Sequence, residues 1–236
     1  MTRTDQFRAL HRAPPILVLP NAWDVASAKA FAGLPGCRAI ATTSAAVAES
    51  LGWEDGEQAP AAEMLRVVER ICSAVDVPVT ADLEAGYGDP PGTAAAALAA
   101  GAAGMNLEDS HGESELVALE DQVELIRAVR AAAPGLVLNA RVDVFITGSG
   151  GIDEAVERGN AYLEAGADCI YPILAPFETV GALAARIAGA VNVLVDPADP
   201  KVDELERLGV ARISFGPRLA TAALAEATRL AALAMS

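Results

Sequence analysis

The sequence has little of several residue types on which common protein functions depend. Of its 236 residues only three are cysteine, two are histidine, and 4% are aromatic. Cys37, Cys72 and Cys169 are far apart and form no CxxC pair, so they predict neither a disulfide framework nor a zinc site. Such an odd, scattered set is typical of a reducing cytosol, and we expect a cytoplasmic location.

Lysine is almost absent, because only Lys29 and Lys201 occur. Both are predicted to lie in helices, away from the strand ends where a Schiff-base aldolase or a pyridoxal phosphate enzyme would need its amine. The glycine-rich segment 148–153 does not complete a GxGxxG motif, because its last position is Asp153. This departure argues against nicotinamide binding.

Positive charge is also scarce. The chain has 17 basic and 32 acidic residues, with a formal net charge of −15. So acidic a surface repels phosphates and anionic lipids, and we therefore expect no nucleic acid partner and no membrane association. No uninterrupted apolar run reaches the roughly 18 residues of a membrane-spanning helix, and the first ten residues lack the apolar core of a secretory signal.

Short apolar runs recur along the chain, separated by amphipathic or alanine-rich stretches of helical length. Near-continuous apolar runs are typical of parallel strands that are buried on both faces. This alternation predicts an α/β fold, a single (β/α)8 barrel domain over residues 1–236, with a doubly wound open sheet as the alternative. The predicted strands are 16–20, 38–43, 77–83, 104–108, 136–143, 169–174, 191–196 and 211–216.

Acidic residues stand at the ends of the third and fourth predicted strands. Asp82 and Glu84 close the third, and Glu108 and Asp109 close the fourth. The chemistry of such barrels lies at the carboxyl ends of the strands, and like charges this close require protons or a cation. A ligand set of oxygens alone favours Mg²⁺, or Mn²⁺ in its place. We interpret Asp109 separately, as a helix N-cap or a surface acid.

Two further side chains could take part in the chemistry. Arg141 follows the apolar run LVLNA, where it is either a structural partner of Asp143 and the acids or a bidentate clamp for a substrate carboxylate. His111 follows the fourth strand and is either a proton-transfer group or a solvent-exposed loop histidine.

Four segments resemble, in order and spacing, the isocitrate lyase/phosphoenolpyruvate mutase superfamily. They are TTSAAVAESLG at 42–52, ADLEAGYGD at 81–89, NLED at 106–109 and NARVDVF at 139–145. The resemblance covers nearly the whole chain. It implies a (β/α)8 barrel, a homo-oligomer (dimer or tetramer) that often exchanges its last helix, and bound Mg²⁺. It also implies cleavage or formation of C–C or P–C bonds next to a 2-oxo acid through an enolate.

The resemblance also assigns roles to particular residues. Asp82 matches the metal-binding acid, Glu84 stands where a second Asp is usual, and Glu108 matches the acid that holds metal-bound waters. By the same resemblance, Thr43, Ser44 and Ala45 match the loop that holds the substrate carboxylate and oxyanion. Arg141 matches the arginine that binds the substrate, and Asp55 lies in a loop where the phosphonate enzymes carry an acid.

The departures from the family pattern leave the reaction open. The lyases carry a KKCGH-type loop after the fourth strand, whereas residues 110–122 here contain neither cysteine nor lysine. The FPE motif of the lyases is replaced by Tyr171-Pro172-Ile173. We expect a Mg²⁺-dependent C–C lyase or decarboxylase of a small 2-oxo or 2-hydroxy carboxylate. The alternatives are a phosphonomutase or phosphonate hydrolase, and a non-catalytic small-acid binder.

Overall fold

The computed structural model describes residues 2–12, 14–112 and 114–235. Parallel strands form a central sheet, and helices surround it. The strands are β1 Leu17–Leu19, β2 Asn21–Ala22, β3 Ile40–Thr42, β4 Val79–Ala81, β5 Gly104–Leu107, β6 Ser110–His111, β7 Glu115–Leu116, β8 Val137–Val142, β9 Cys169–Pro172, β10 Ala190–Leu194 and β11 Arg212–Ser214. The helices are α1 Arg3–Leu10, α2 Val25–Ala32, α3 Ser44–Leu51, α4 Ala61–Ala74, α5 Pro90–Ala99, α6 Leu119–Ala132, α7 Val144–Thr147, α8 Ile152–Ala165, α9 Phe177–Arg186, α10 Val202–Arg207 and α11 Arg218–Met235.

The central sheet closes on itself through its first chain segment. Its strand order is β1-β11-β10-β9-β8-β5-β4-β3-β2, with every pairing parallel. β1 and β2 are parts of one extended segment that is interrupted at Pro20, which has no N–H to donate. Because β1 pairs with β11 and β2 with β3, this segment joins the two ends of the order. The predicted (β/α)8 barrel is therefore confirmed, and each predicted run contains a barrel strand, although β10 begins at Ala190, just before the run predicted as 191–196.

The outer helices turn one apolar face toward the sheet. In α4, the helix with the clearest periodicity in the sequence, Met64, Val68, Ile71 and Cys72 are buried. These positions recur every three or four residues, which places them on one side of the helix. α4 begins directly after Pro60.

An additional helix, α1, covers the amino-terminal end of the barrel. It begins with a capping box, because Thr2 and Asp5 each accept a hydrogen bond from the backbone N–H of the other. Phe7 is fully buried against Leu17, Leu19 and other small or apolar barrel residues. The sequence-based strands and helices did not include α1.

The aromatic ring of Phe7 requires a glycine opposite it. A Cβ on Gly104 would lie 2.8 Å from Phe7 Cε1 and 2.7 Å from the Val137 carbonyl oxygen. Only glycine allows an approach this close. Packing around the Phe7 ring is therefore tight.

The last helix, α11, differs from the others because none of its residues is buried. Leu224 and Leu233 are 59% and 62% exposed. In the described part of the chain, no helix combines the length and apolar character needed to cross a bilayer.

Candidate active site at the carboxyl ends of the strands

Asp82, the residue after β4, is the centre of a hydrogen-bond network. Its carboxylate accepts from the backbone N–H and the hydroxyl of Ser44, at 3.1 and 3.2 Å, and from the side-chain amide of Asn106 at 2.9 Å. Ser44 begins α3, so the positive end of that helix dipole faces the carboxylate. A carboxylate has about four acceptor sites, and three hydrogen bonds leave room for a further ligand.

Glu84 is held by the loops around it. Its carboxylate accepts from the Tyr87 hydroxyl and from the Glu57 backbone N–H, both at 2.6 Å. Burial raises the pKa of Glu84 to about 7, and the nearby charges of Asp55 and Asp82 add to the effect, while the hydrogen bond from Tyr87 opposes it. The acid therefore lies in an environment that disfavours its negative charge.

Arg141 forms ion pairs with two acids. Its guanidinium donates to Asp143 through Nε at 2.8 Å and Nη2 at 3.1 Å, and it also pairs with Glu108. Burial raises the pKa of Glu108 well above its usual range even though Arg141 lowers it. The structural alternative for Arg141 is thus observed, and its role as a substrate clamp stays a prediction.

Asp109 has a structural place that the sequence did not predict. It is fully buried and accepts from the Tyr162 hydroxyl at 2.6 Å, the Asp143 N–H at 2.7 Å and Arg158 Nη1 at 3.2 Å. The expectation of a helix cap or surface acid is wrong, because α8 supplies a tyrosine and an arginine that satisfy the buried charge. Asp109 ties α8 to the end of β8.

Two cavities open at this end of the barrel, and the predicted site residues line them. The smaller, of about 150 Å³, is lined by Thr43, Ser44, Ala45, Asp55, Asp82 and Arg141 among others. The larger, of about 420 Å³, is lined by Asp55, Glu84, Glu108 and His111 among others. All nine predicted site residues thus lie around two cavities that share Asp55. Their individual roles stay predictions.

The segment predicted as a short loop after the fourth strand contains a hairpin. β6 and β7 pair antiparallel, with His111 opposite Glu115. The hairpin places the exposed His111 at the wall of the larger cavity. Glu113, within this segment, lies outside the described residues. A role for His111 in proton transfer stays a prediction.

Cysteine and lysine side chains of the described residues line neither cavity. Cys72 lies in α4 and Cys169 begins β9, at the opposite end of that strand from the site. Lys201 is at the N-cap of α10 rather than inside a helix as predicted, and its ammonium lies 4.2 Å from the centre of the Phe177 ring. The described thiols are therefore separate from the two cavities of the site.

The acids provide a donor set that fits a hard cation. Among the described residues, no three acidic, histidine or cysteine side chains are already arranged as direct ligands of one ion. Mg²⁺ usually keeps several waters and takes only one or two carboxylates directly. Asp82 has acceptor capacity left, and the carboxylates of Glu84 and Glu108 lie in a region where further negative charge is unfavourable. The oxygen-only set therefore fits Mg²⁺.

Several residues of the site have no part in the sequence-based expectations. Asn106 donates to Asp82 and in turn accepts at 2.8 Å from Asn139, so polar side chains continue into the barrel. The sequence contains a sign of both asparagines, because each is a polar residue within an apolar strand. Tyr87 and Glu57 had no such signal, because their contacts with Glu84 depend on loop conformations, including positive φ angles at both residues.

Comparison with known sequences identifies the family. Residues 7–235 match the family described as phosphoenolpyruvate phosphomutase. The chain is 34% identical over 213 residues to the uncharacterized protein Rv1998c of Mycobacterium tuberculosis H37Rv, which covers 89% of this chain and 81% of that protein. It is 33% identical over 178 residues to 2-methylisocitrate lyase of Bacillus subtilis, over 71% of this chain and 58% of the lyase. The match therefore spans less than two thirds of that enzyme's length.

Solved structures give the same result. A candidate phosphonomutase from Burkholderia cenocepacia J2315 superimposes with a TM-score of 0.88 at 40% identity, over 99% of each chain. A phosphonopyruvate hydrolase, solved with oxalate and Mg²⁺, superimposes with a TM-score of 0.86 at 26% identity, over 98% of this chain and 86% of that one. The chain belongs to the phosphoenolpyruvate phosphomutase family, and it is an enzyme of the phosphoenolpyruvate mutase/isocitrate lyase superfamily.

Proposed function

We propose that the protein is a Mg²⁺-dependent carbon–carbon lyase or decarboxylase of a small 2-oxo or 2-hydroxy carboxylate, acting through an enolate. The observation that carries this proposal is the cavity of about 150 Å³ in which Asp82, the first turn of α3 and Arg141 meet. A cavity of this volume, lined by these polar groups, suits a small acid. The proposed setting is the cytoplasm, which suits the three free thiols.

Each acid of the site has a proposed part. Asp82 would hold Mg²⁺ directly, and Glu84 and Glu108 would hold its waters. The bound ion would supply electrostatic stabilisation for the negative charge that develops on the 2-oxo oxygen. Tyr87 and Arg141 fix the orientations of Glu84 and Glu108 through the hydrogen bond and ion pair described above.

The first turn of α3 would bind the substrate oxygens. Helix N-termini present backbone N–H groups without helical partners, and donors aimed at a developing oxyanion lower the barrier to its formation. The N–H and hydroxyl of Ser44 already donate to Asp82. We therefore propose that Ser44 positions Asp82, while Thr43 and Ala45 contact the substrate. Asp55 and His111, on the wall of the larger cavity, are the proposed proton-transfer groups.

A second candidate is P–C bond chemistry, as in a phosphonomutase or phosphonate hydrolase. It is supported by the 40% identity to the candidate phosphonomutase over 99% of both chains. It is also supported by the place of Asp55, which lines both cavities. An enzyme of this kind would release phosphate or isomerise a phosphonate where a lyase would release a 2-oxo acid.

A substrate panel tests these proposals. Purified protein would be incubated with oxaloacetate, 2-methylisocitrate and phosphonopyruvate, each with Mg²⁺ and with a chelator. We expect Mg²⁺-dependent release of a 2-oxo acid from a carbon substrate. Phosphate release from phosphonopyruvate alone would favour the second candidate. Calorimetric binding of these acids with no turnover of any of them would instead support a non-catalytic binder.

A further inference from the structure

Arg212 is a buried cation in the wall of the smaller cavity. It begins β11, is 1% exposed, and lines the same cavity as Asp82 and Arg141. Its Nε and Nη1 are buried and have no hydrogen-bond partner among the described residues. The centre of its guanidinium lies 6.0 Å from the centre of the Phe7 ring, so the side chain lies in the barrel interior beneath the site.

The other buried arginines have acidic partners. Arg141 pairs with Glu108 and Asp143, and Arg158 pairs with Asp109 and Glu154. Within the described ranges, no acidic side chain lies within ion-pair distance of Arg212. Asp82 is the acid whose charge acts on it, from a greater distance. The uncompensated positive charge of this cavity is therefore on Arg212 rather than on Arg141.

An isolated buried cation is unfavourable unless an anion compensates it. The other neighbours of Arg212 are apolar or uncharged, and they include Phe7, Cys169 and Tyr171. A ligand with a carboxylate at the cavity floor would supply the missing negative charge, and the planar guanidinium matches a carboxylate better than an ammonium does. The strand position also favours this role, because β11 is part of the rigid barrel.

We propose that Arg212 is the anchor for an acid group of the substrate, and that it makes the site specific for anions over their neutral analogues. The inference rests on the proposed function for the kind of substrate, a small 2-oxo acid. Arg212 would act in addition to Arg141, which lines the same cavity and which the family resemblance implies as a substrate-binding residue.

Calorimetry with oxalate and with neutral oxamide, both in the presence of Mg²⁺, tests the assignment. We expect Arg212→Met to weaken oxalate binding about ten- to hundredfold, the effect of losing a charge-assisted hydrogen bond, and to leave any oxamide binding unchanged. Arg158→Met is the matched control, because it removes another buried arginine, one that lines neither cavity, and should leave oxalate affinity unchanged.

Thermal unfolding without ligand separates this role from a structural one. Arg212→Met removes an unpaired charge and should keep or raise the melting temperature, whereas Arg158→Met leaves Asp109 unpaired and should lower it. If Arg212→Met fails to fold, Arg212→Lys keeps the charge without the planar fork and should still weaken oxalate binding. Wild-type affinity for oxalate in a folded Arg212 variant would overturn the inference, as would wild-type protein that binds no oxalate.

The kinetic panel distinguishes this inference from the proposed function. If oxalate binding depends on Arg212 but the protein turns over none of the acids, the role of Arg212 is supported and the proposed lyase activity is contradicted. If the wild type turns over an acid and Arg212→Met has an unchanged KM for it, the role of Arg212 is contradicted and the proposed lyase activity is supported.

Discussion

Asp82 is the residue on which the polar groups of the barrel mouth converge. Because it is the proposed direct ligand of Mg²⁺, we expect Asp82→Ala to abolish both Mg²⁺ binding in calorimetry and turnover. Asp24→Ala is a suitable control, since Asp24 caps α2 by accepting from the Ser27 N–H at 2.7 Å. The Asp24→Ala substitution should lower the free energy of unfolding by about 1 kcal/mol and leave the affinity for Mg²⁺ unchanged. Wild-type turnover in the presence of a chelator would contradict the metal's role.

His11 links the stability of the protein to pH. Burial lowers the pKa of His11 from its ordinary value of 6.5 to about 3, and the positive charge of Arg212 adds to this effect. Between these values the unfolded chain binds a proton that the folded protein does not. The stabilisation is therefore present above pH 6.5 and is lost as pH falls, by about 1.4 kcal/mol per pH unit.

Urea unfolding at pH 6.5 and 5 measures this effect. We expect the wild type to lose about 2 kcal/mol more than His11→Asn over this interval. The asparagine keeps an amide donor for the Phe7 carbonyl oxygen, which His11 Nδ1 contacts at 2.9 Å. Glu84, whose pKa is raised, contributes stability that increases as pH falls. Both proteins contain Glu84, so its contribution cancels when their losses are compared. Equal losses in the two proteins would show that His11 is not the titrating group.

At the scale of elements, α1 acts as a plug for the barrel. The fully buried ring of Phe7 closes the amino-terminal end, and Arg8 ties the helix to the Gly135 carbonyl oxygen at 3.0 Å. We expect Phe7→Ala to lower the free energy of unfolding by about 3–5 kcal/mol, the usual effect of removing a core aromatic ring. Urea denaturation measures this, with the exposed Gln6→Ala as the control on the same helix. If Phe7→Ala lowered the free energy of unfolding by less than about 1 kcal/mol, well short of the usual effect, the role of Phe7 in closing this end of the barrel would be contradicted.

The barrel strands could be predicted from sequence because each is a buried apolar run between helical stretches. α1 could not, because only Phe7 of its eight residues is buried and its mean character is polar. The hairpin of β6 and β7 could not either, since two-residue strands carry no periodicity. Local sequence thus specifies the repeated elements, whereas the elements that cover the ends of the barrel are stabilised by tertiary contacts.

The same distinction applies to the site. Asp82 and Arg141 could be located because a charge in an apolar strand of a barrel must face the mouth or be neutralised. Arg212, in the run ARISF, gives the same signal, but the sequence does not show that the other two buried arginines have acidic partners. The contacts of Glu84 with Tyr87 and Glu57 could not be derived, because loops of different origin bring these residues together.

At the scale of the whole molecule, we propose that α11 takes part in a homo-oligomer, which the family resemblance also implies. In proteins most helical stability comes from the packing of an apolar face, and none of the 18 residues of α11 is buried. It borders a groove of about 830 Å³, which Leu224 lines together with Trp23 and residues of α3. Covering this apolar surface in a second subunit would contribute to an interface of the roughly 1,600 Å² that stable complexes bury.

Sedimentation equilibrium tests this expectation. The wild type should have a multiple of the 24.1 kDa chain mass, and Leu224→Glu should shift it toward 24.1 kDa because a charge in a buried apolar contact is unfavourable. Glu226→Ala is the control on the same helix, since Glu226 pairs only with Arg229 at the surface, at 2.7 and 2.8 Å, and exposed pairs contribute little. A monomeric wild type would contradict the expectation, and an oligomeric Leu224→Glu would place the interface on another surface. Because α3 borders the groove and begins at Ser44, within the proposed substrate-binding segment, dissociation of the oligomer should also lower turnover.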